Sequence, residues 1–360
     1  MKRNIALALL VALGLASCTK NTFNVNVSLQ NADDNTMIIL RKVVDNQTIG
    51  IDSVNFKNET AVLTAPKDDP QTLYTIKIKG MRGTMAFFPE NKDVTVVGDL
   101  NNPKDVEILA GKAQGKYNDY NHGINDFSLQ IKDLYTKFDE AVAKDDTTMM
   151  KEISAQGDEI MKKQSEFTDN FIEQNKDHFI GHYILDEKKQ DYSIDELKEI
   201  VAGFPNESLY TKDLQKYIEK MDKVSVGKPY IDFTLKTNEG QDVTLSEYCK
   251  GSKLTLVDFW ASWCGPCRGE NPNVVAAYEK YREQGFNVLG VSLDQDVAAW
   301  QKAVADDKLP WTQVRDTDGK VSEQYLIYYI PSNLLIDENG IIVEKNLRGE
   351  QLEEALRSRL

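Results

Sequence analysis

Two cysteines three positions apart, Cys264 and Cys267, sit in the stretch Asp258-Phe-Trp-Ala-Ser-Trp-Cys-Gly-Pro-Cys-Arg-Gly-Glu270, with an acid six residues to either side of Cys264. Thiols this close can exchange with a disulfide, and the acids can take or hold a proton. Whether such chemistry runs depends on the thiolate fraction, and so on where the backbone puts the first sulfur. The apolar, β-prone run Leu254 to Trp260 delivers Cys264 to the point where Pro266 and the periodic apolar residues of 272–281 start a helix. A cysteine there meets unpaired backbone N–H groups and the positive end of the helix dipole, and both favour thiolate over thiol. A nucleophile therefore stands where a strand gives way to a helix.

The remaining chain must hold that stretch in position. Its 360 residues exceed one ordinary core and indicate two or three domains, and a hydrophobic fraction of 41% is compatible with packed structure throughout. A net charge of −14, with no long Lys/Arg run to offset it, argues against nucleic acid as a partner. The only long apolar run, Ile5 to Ala16, is shorter than the roughly 20 residues of a membrane span, and with Lys2 and Arg3 ahead of it residues 1–17 read as a signal peptide. That run ends in Leu15-Ala-Ser-Cys18, which resembles a bacterial lipobox, so Cys18 is the expected lipidation site; the alternative is plain secretory cleavage beside a chance cysteine. Acyl chains on Cys18 would tether a soluble body to a membrane by its end. Thr19, where retained lipoproteins carry Asp, resembles outer-membrane rather than inner-membrane sorting. With Cys18 lipidated, Cys249, Cys264 and Cys267 remain, too few for a disulfide-stapled exported scaffold, so the close pair is expected to work rather than brace.

Residues 22–110 read as β structure. Phe23-x-Val-x-Val-x-Leu29 alternates strictly, Leu73 to Lys79 does so in part, and Asn, Asp, Gly and Pro punctuate the runs, which predicts an antiparallel sandwich-like domain. Residues 111–225 read as helical. Tyr117, Tyr120, Ile124, Phe127, Ile131, Leu134, Tyr135 and Phe138 recur at threes and fours as a stripe expected to pack as core, and Ser193-Ile-Asp-Glu196 is a capping box. His178 and His182 lie four apart on one helical face, a spacing that can bind a metal, yet no third ligand accompanies them and they read as structural. Cys249 has no motif around it and reads as a small, buried residue. From residue 226 strands and helices alternate and end in a hairpin across Glu338-Asn-Gly340, which predicts a mixed sheet covered by helices on both faces.

By Trp263-Cys-Gly-Pro-Cys267, the entry Lys228-Pro-Tyr-Ile-Asp-Phe-Thr-Leu235 and the downstream Ile330-Pro-Ser-Asn-Leu-Leu-Ile-Asp337, residues 226–360 resemble a thioredoxin-fold domain of the TlpA/ResA type of membrane-anchored thiol-disulfide oxidoreductase. The β segment similarly resembles the N-terminal β domain of unknown function that precedes such domains in lipoproteins of Bacteroidetes. The expected fold is thus multidomain: an N-terminal antiparallel β domain, a middle α-helical region and a C-terminal α/β thioredoxin-like domain. A Cys-x-x-Cys can also be half of a zinc site, but no second Cys pair or Cys/His cluster exists in this domain.

The resemblance implies roles. Cys264, at the helix start and partly exposed, is the nucleophile, and Cys267, one turn in, is the resolving thiol, for which a nearby base is useful. Asp258 matches the buried aspartate of thioredoxins and is flanked by Leu256, Val257, Phe259 and Trp260, so it is favoured as the proton acceptor; Glu270 matches the buried glutamate of ResA-like proteins and is the second acid, sharing that role or contacting substrate. Pro331 is expected to be cis, with Ile330 offering its backbone to an incoming peptide and Trp263 beside them on the substrate-binding face. No cofactor and no metal is implied. Expected partners are exported protein disulfides, a membrane electron donor of the DsbD type and, through the lipid on Cys18, the membrane of a bacterial cell envelope facing the periplasm. The Cys-Gly-Pro-Cys dipeptide suggests reduction rather than oxidation by analogy with thioredoxin. The competing readings are a non-catalytic, partner-binding lipoprotein and a peroxiredoxin-like peroxidase; Ala261 and Val257 stand where the latter needs Thr or Ser and Pro.

Overall fold

The computed structural model describes residues 21–45 and 47–360, so Cys18 and the segment 1–17 lie outside the described residues. The chain divides into two compact units: one holds the residues up to Lys188 together with Gly203–Thr211, the other Lys189–Ala202 and Lys212–Leu360. The helical segment expected at 111–225 is therefore shared between them.

In the first unit, strict alternation makes β1 (Thr22–Gln30) amphipathic, with Phe23, Val25, Val27 and Leu29 buried. The strands β2 (Met37–Val44), β3 (Gln47–Asn55), β4 (Thr60–Pro66), β5 (Tyr74–Ile78), β6 (Met85–Phe87), β7 (Val94–Asp99) and β8 (Asn102–Leu109) complete two four-stranded sheets, ordered β4-β1-β7-β8 and β3-β2-β5-β6. One core takes side chains from both, including Val25, Leu63 and Val96 from the first and Leu40, Ile76 and Phe87 from the second. The sandwich is not wholly antiparallel: β1 and β7 run parallel, Val25 opposite Val94. The chain crosses to the other sheet between them, the long connection that a parallel pair requires.

Two long helices, α1 (Lys112–Ala143) and α2 (Thr147–Gln174), form a hairpin whose second helix is capped by Asp146 accepting from Met149 N at 2.9 Å. A two-helix hairpin has one contact face. Tyr120 packs on Phe171, and Leu134 joins Ala141 and Ile153, whereas Tyr135, expected in the same stripe, is 68% exposed. In α3 (Phe179–Lys188), His182 is fully committed: Nε2–H donates to the Lys176 carbonyl and Nδ1 accepts from Ser208 Oγ, both at 2.9 Å, while the ring stacks on Phe204. His178 Nδ1 accepts from Ile180 N. Burial lowers the pKa of both imidazoles, and among the described residues no cluster of potential metal ligands includes them.

In the second unit α4 (Ile194–Ala202) starts at its capping box, with Ser193 N donating to Glu196 Oε2 and Glu196 N to Ser193 Oγ. After α5 (Leu209–Lys223) come β9 (Thr234–Lys236), β10 (Asp242–Thr244), α6 (Leu245–Tyr248), β11 (Leu254–Trp260), α7 (Gly265–Tyr281), β12 (Phe286–Ser292), α8 (Val297–Asp306), β13 (Gln313–Arg315), α9 (Lys320–Gln324), β14 (Ser332–Asp337), β15 (Ile342–Lys345) and α10 (Gly349–Arg357). They build a mixed seven-stranded sheet, ordered β10-β9-β13-β12-β11-β14-β15. The central strand β11 is buried along its whole length. Leu254, Leu256 and Trp260 pack with α7 and α10 on one face, and Val257 and Phe259 join the core on the other. Half-buried Cys249 caps α6, and burial raises its thiol pKa. Among the described residues no helix is long and apolar enough to cross a membrane.

Beside β11, Gly290 opposes Asp258, and a Cβ there would fall 2.1 Å from Gln313 Oε1, the atom that accepts the Trp260 indole N–H at 3.0 Å. Gly290→Ala must displace Gln313 and break that bond, and is expected to cost about 1–3 kcal/mol in thermal or denaturant unfolding; unchanged stability would show that Gln313 yields freely.

Candidate active site

Cys264 is the N-cap of α7, in extended backbone conformation, and its sulfur accepts a hydrogen bond from Cys267 N at 3.2 Å. Pro266 fits the first turn, where its missing N–H has no helical partner in any case. The two sulfurs are joined as a disulfide of 2.03 Å, with the Cα atoms 5.3 Å apart. Cys264 was expected to be partly exposed, but in this oxidised state it is only 5% exposed against 2% for Cys267. Ile330 packs on the cluster that contains both cysteines. Trp263 beside it is 68% exposed.

The turn before the disulfide is held from the next strand. Buried Asp294 accepts from Ser262 N and Ser292 Oγ, both at 2.8 Å, and also from Ser262 Oγ. From α7, Arg268 pairs with Asp307 at the end of α8 through both Nε and Nη2, and Asn271 donates to the same carboxylate at 2.6 Å. These contacts fix Ser262 to Cys267 between two helices and a strand end.

Strand alternation puts Asp258 on the same face of β11 as Leu256 and Trp260, the face that packs against the cluster holding Cys264 and Cys267. Asp258 is 6% exposed. Burial pushes its carboxyl pKa up from 3.8 to about 7, the Arg348 guanidinium opposes that rise, and the Glu270 carboxylate adds to it. Glu270 itself is occupied elsewhere: Oε1 accepts from Gly349 N at 2.7 Å, at the start of α10, and Oε2 from Asn273 at 3.0 Å. It thus binds α7 to a helix N-terminus, where a carboxylate is favoured.

The Ile330–Pro331 peptide is cis. Arg348 donates to the Pro331 carbonyl and, at 2.8 Å, to that of Leu347, so one guanidinium ties the proline loop to the approach of α10 while it faces Asp258. Asn333, opposite Asp258 in the β11–β14 register, exchanges two 2.9 Å hydrogen bonds with the Leu347 backbone. Sequence reading did not single out Arg348, Asn333 or Asp294. The buried Asn333, in the Pro331 strand, carried a signal, a polar residue at a core position; Arg348 and Asp294 carried none, because their partners lie far away in the chain. The assembled parts are an exchangeable disulfide at a helix N-terminus, a desolvated acid near neutrality on the same face and a proline loop alongside. They can pass electrons between sulfurs and accept the accompanying proton.

Comparison with known proteins agrees with this chemistry. Residues 226–345 match the AhpC/TSA family, and residues 23–132 match a domain of unknown function, DUF4369, which extends into α1. The thiol-disulfide oxidoreductase ResA of Bacillus cereus is 30% identical over 157 residues, 44% of this chain and 87% of that protein. The sporulation thiol-disulfide oxidoreductase A of Bacillus subtilis is 32% identical over 128 residues, 35% of this chain and 75% of that protein. Among solved structures, the thioredoxin domain of a thiol-disulfide oxidoreductase from Bacteroides vulgatus is 35% identical, covering 37% of this chain and 96% of its own, with a TM-score of 0.35. With its redox pair in the C-terminal thioredoxin-like part and a DUF4369 domain ahead of it, the chain belongs to the ResA/TlpA-like thiol-disulfide oxidoreductases.

Proposed function

We propose that the chain reduces disulfides of exported proteins, with Cys264 as nucleophile, Cys267 as resolving thiol and Asp258 as proton acceptor. The observation that carries this reading is one buried carboxyl group, held near neutrality, on the sheet face that packs against both cysteines. In the reduced chain the Cys264 thiolate, stabilised at the N-terminus of α7, attacks a substrate disulfide. The substrate S–S bond breaks, a Cys264–substrate disulfide forms, and the second substrate sulfur leaves as thiolate. Cys267 then gives its proton to the Asp258 carboxylate and attacks Cys264 Sγ as thiolate. The mixed disulfide breaks, the first substrate sulfur leaves and takes up a proton, and Cys264 and Cys267 are left joined. Two electrons have passed to the substrate, and the product state of the chain is the disulfide described above.

An acid with a pKa near 7 suits this step, because both of its forms are present at neutral pH and the proton can be taken and returned. Glu270 acts as a cap for α10 and a negative neighbour that keeps Asp258 protonatable. Trp263 and the Ile330 backbone beside cis-Pro331 receive the substrate strand. The spent disulfide must be reduced again by a dithiol, and we assign that role to a membrane electron donor of the DsbD type. The lipid on Cys18 holds the protein in the cell envelope, facing the periplasm from the outer membrane.

The reading is tested by insulin reduction with a chemical dithiol as donor: turnover is expected, and none from a chain with an intact Cys264–Cys267 pair would overturn it. Asp258→Asn is expected to lower that rate at pH 7 by about 10–100-fold and to flatten its pH dependence near neutrality. The same variant should be more stable. A raised acid pKa means that the folded state keeps its proton while the unfolded chain has lost it, so stability falls as pH rises from about 4 to about 7 and is flat above. Removing the acid should therefore stabilise the chain above pH 7 by up to roughly 4 kcal/mol and little at pH 4, as read by thermal melts at the two pH values. Arg348→Gln removes the cation that holds the Asp258 pKa down, so the alkaline rise in rate should move to higher pH; a profile at the wild-type position would separate Arg348 from the acid.

A further inference from the structure

Within the second unit, lined in part by residues that flank Ile330 and Pro331, lies a groove of about 540 Å³. Tyr217 and Met221 of α5 form one wall, Tyr328, Tyr329 and Ser332 the other, and Lys345 of β15 reaches into it. Tyr328 and Tyr329 are 46% and 61% exposed, large aromatic surfaces left open to solvent. The loop wall is held in place: Tyr329 OH donates to the Gln190 carbonyl at 3.1 Å, and Ser332 Oγ donates to the Tyr329 carbonyl at 2.8 Å. Tyr329 and Ser332 directly bracket Ile330 and Pro331, so the groove is continuous with the edge along which a substrate strand would lie.

The charge in its lining is cationic, with Glu323 acting on Tyr328 from outside that lining. Lys345 Nζ donates at 3.1 Å to the Val224 carbonyl, its only hydrogen bond among the described residues, and no carboxylate lines the groove. Burial, with nothing negative to offset it, lowers the ammonium pKa. A second cation, Lys189, stands 5.4 Å over the Tyr217 ring. A cationic, aromatic groove in a chain of net charge −14 is a local reversal of the chain's overall sign and favours an anion there. An anionic ligand would supply Lys345 with the missing partner, and the rings would hold the apolar atoms beside that anion.

We infer that this groove is a specificity subsite that takes an acidic segment, an aspartate or glutamate with an apolar neighbour, of the disulfide-bearing substrate polypeptide. The inference rests on the reductase reading for the direction in which the substrate strand runs past Ile330. It assigns Lys345 and the two exposed tyrosines to substrate choice and leaves the sulfur chemistry to Cys264 and Cys267.

The test uses the full chain and two disulfide peptides that differ only in a flanking Asp-Glu or Asn-Gln pair. The ratio of their kcat/KM values is expected to favour the acidic peptide by about tenfold. Lys345→Gln should bring that ratio to near unity and Lys345→Arg should keep most of it, whereas general damage to the fold would lower both rates and leave the ratio alone. A wild-type ratio near unity, or a preference that survives Lys345→Gln, would overturn the subsite. Should neither peptide be reduced, the reductase reading itself fails. Calorimetric binding of the same peptides with their cysteines alkylated then decides the groove: selective, Lys345-dependent binding of the acidic peptide supports it, and equal or absent binding overturns it. A groove filled by a second copy of the chain would give the latter result.

Discussion

Burying one carboxyl group in the middle of an apolar strand is the constraint on which the redox unit depends. Every residue of β11 is buried, and Asp258 is its only ionisable one. An unpaired carboxylate in such a place is costly, and the group responds by holding its proton to about pH 7. Full neutralisation by a tight ion pair would remove the cost and with it the proton affinity. Instead the Arg348 guanidinium is engaged by the Pro331 and Leu347 carbonyls, and Glu270 pushes the other way. The acid is thus left balanced between two opposing neighbours rather than satisfied.

That balance requires pieces from distant parts of the chain. Gly349 receives Glu270 where α10 begins, Asn333 pins the Leu347 backbone, and Arg348 spans from there to the proline loop. A short segment, residues 347–349, therefore sets the proline loop, the two acids and the start of α10 together. Asp294 and Asp307 do the corresponding work on the other side of the disulfide, holding Ser262 and the first turn of α7. Positioning by several short polar contacts around an apolar cluster gives the sulfurs a defined setting without filling the approach to Cys264 with bulky groups.

Local signals were legible in the sequence where the cause of structure is itself local. The apolar run 254–260 is β11 to the residue, and the Ser193–Glu196 box starts α4. The cysteine pair and its helix followed from the strand-to-helix transition and Pro266. What did not follow depends on packing between distant segments. The parallel β1–β7 pair is set by the crossing between sheets, and Tyr135 is exposed because a hairpin offers only one face. Arg348 carries no local mark, since its meaning comes from Asp258. The burial of Cys264 comes with a cluster on which the distant Ile330 packs, a contact that residue spacing does not reveal.

The occluded disulfide also bears on how the unit must work. With the cysteines 5% and 2% exposed, the oxidised pair offers little surface to an attacking thiolate, so any dithiol that reduces it must approach closely. Arg348 donates to the Pro331 carbonyl while its charge lowers the pKa of Asp258, so the proline loop and the buried acid share one cation. A shift of that loop therefore acts on a residue that sets the charge of Asp258.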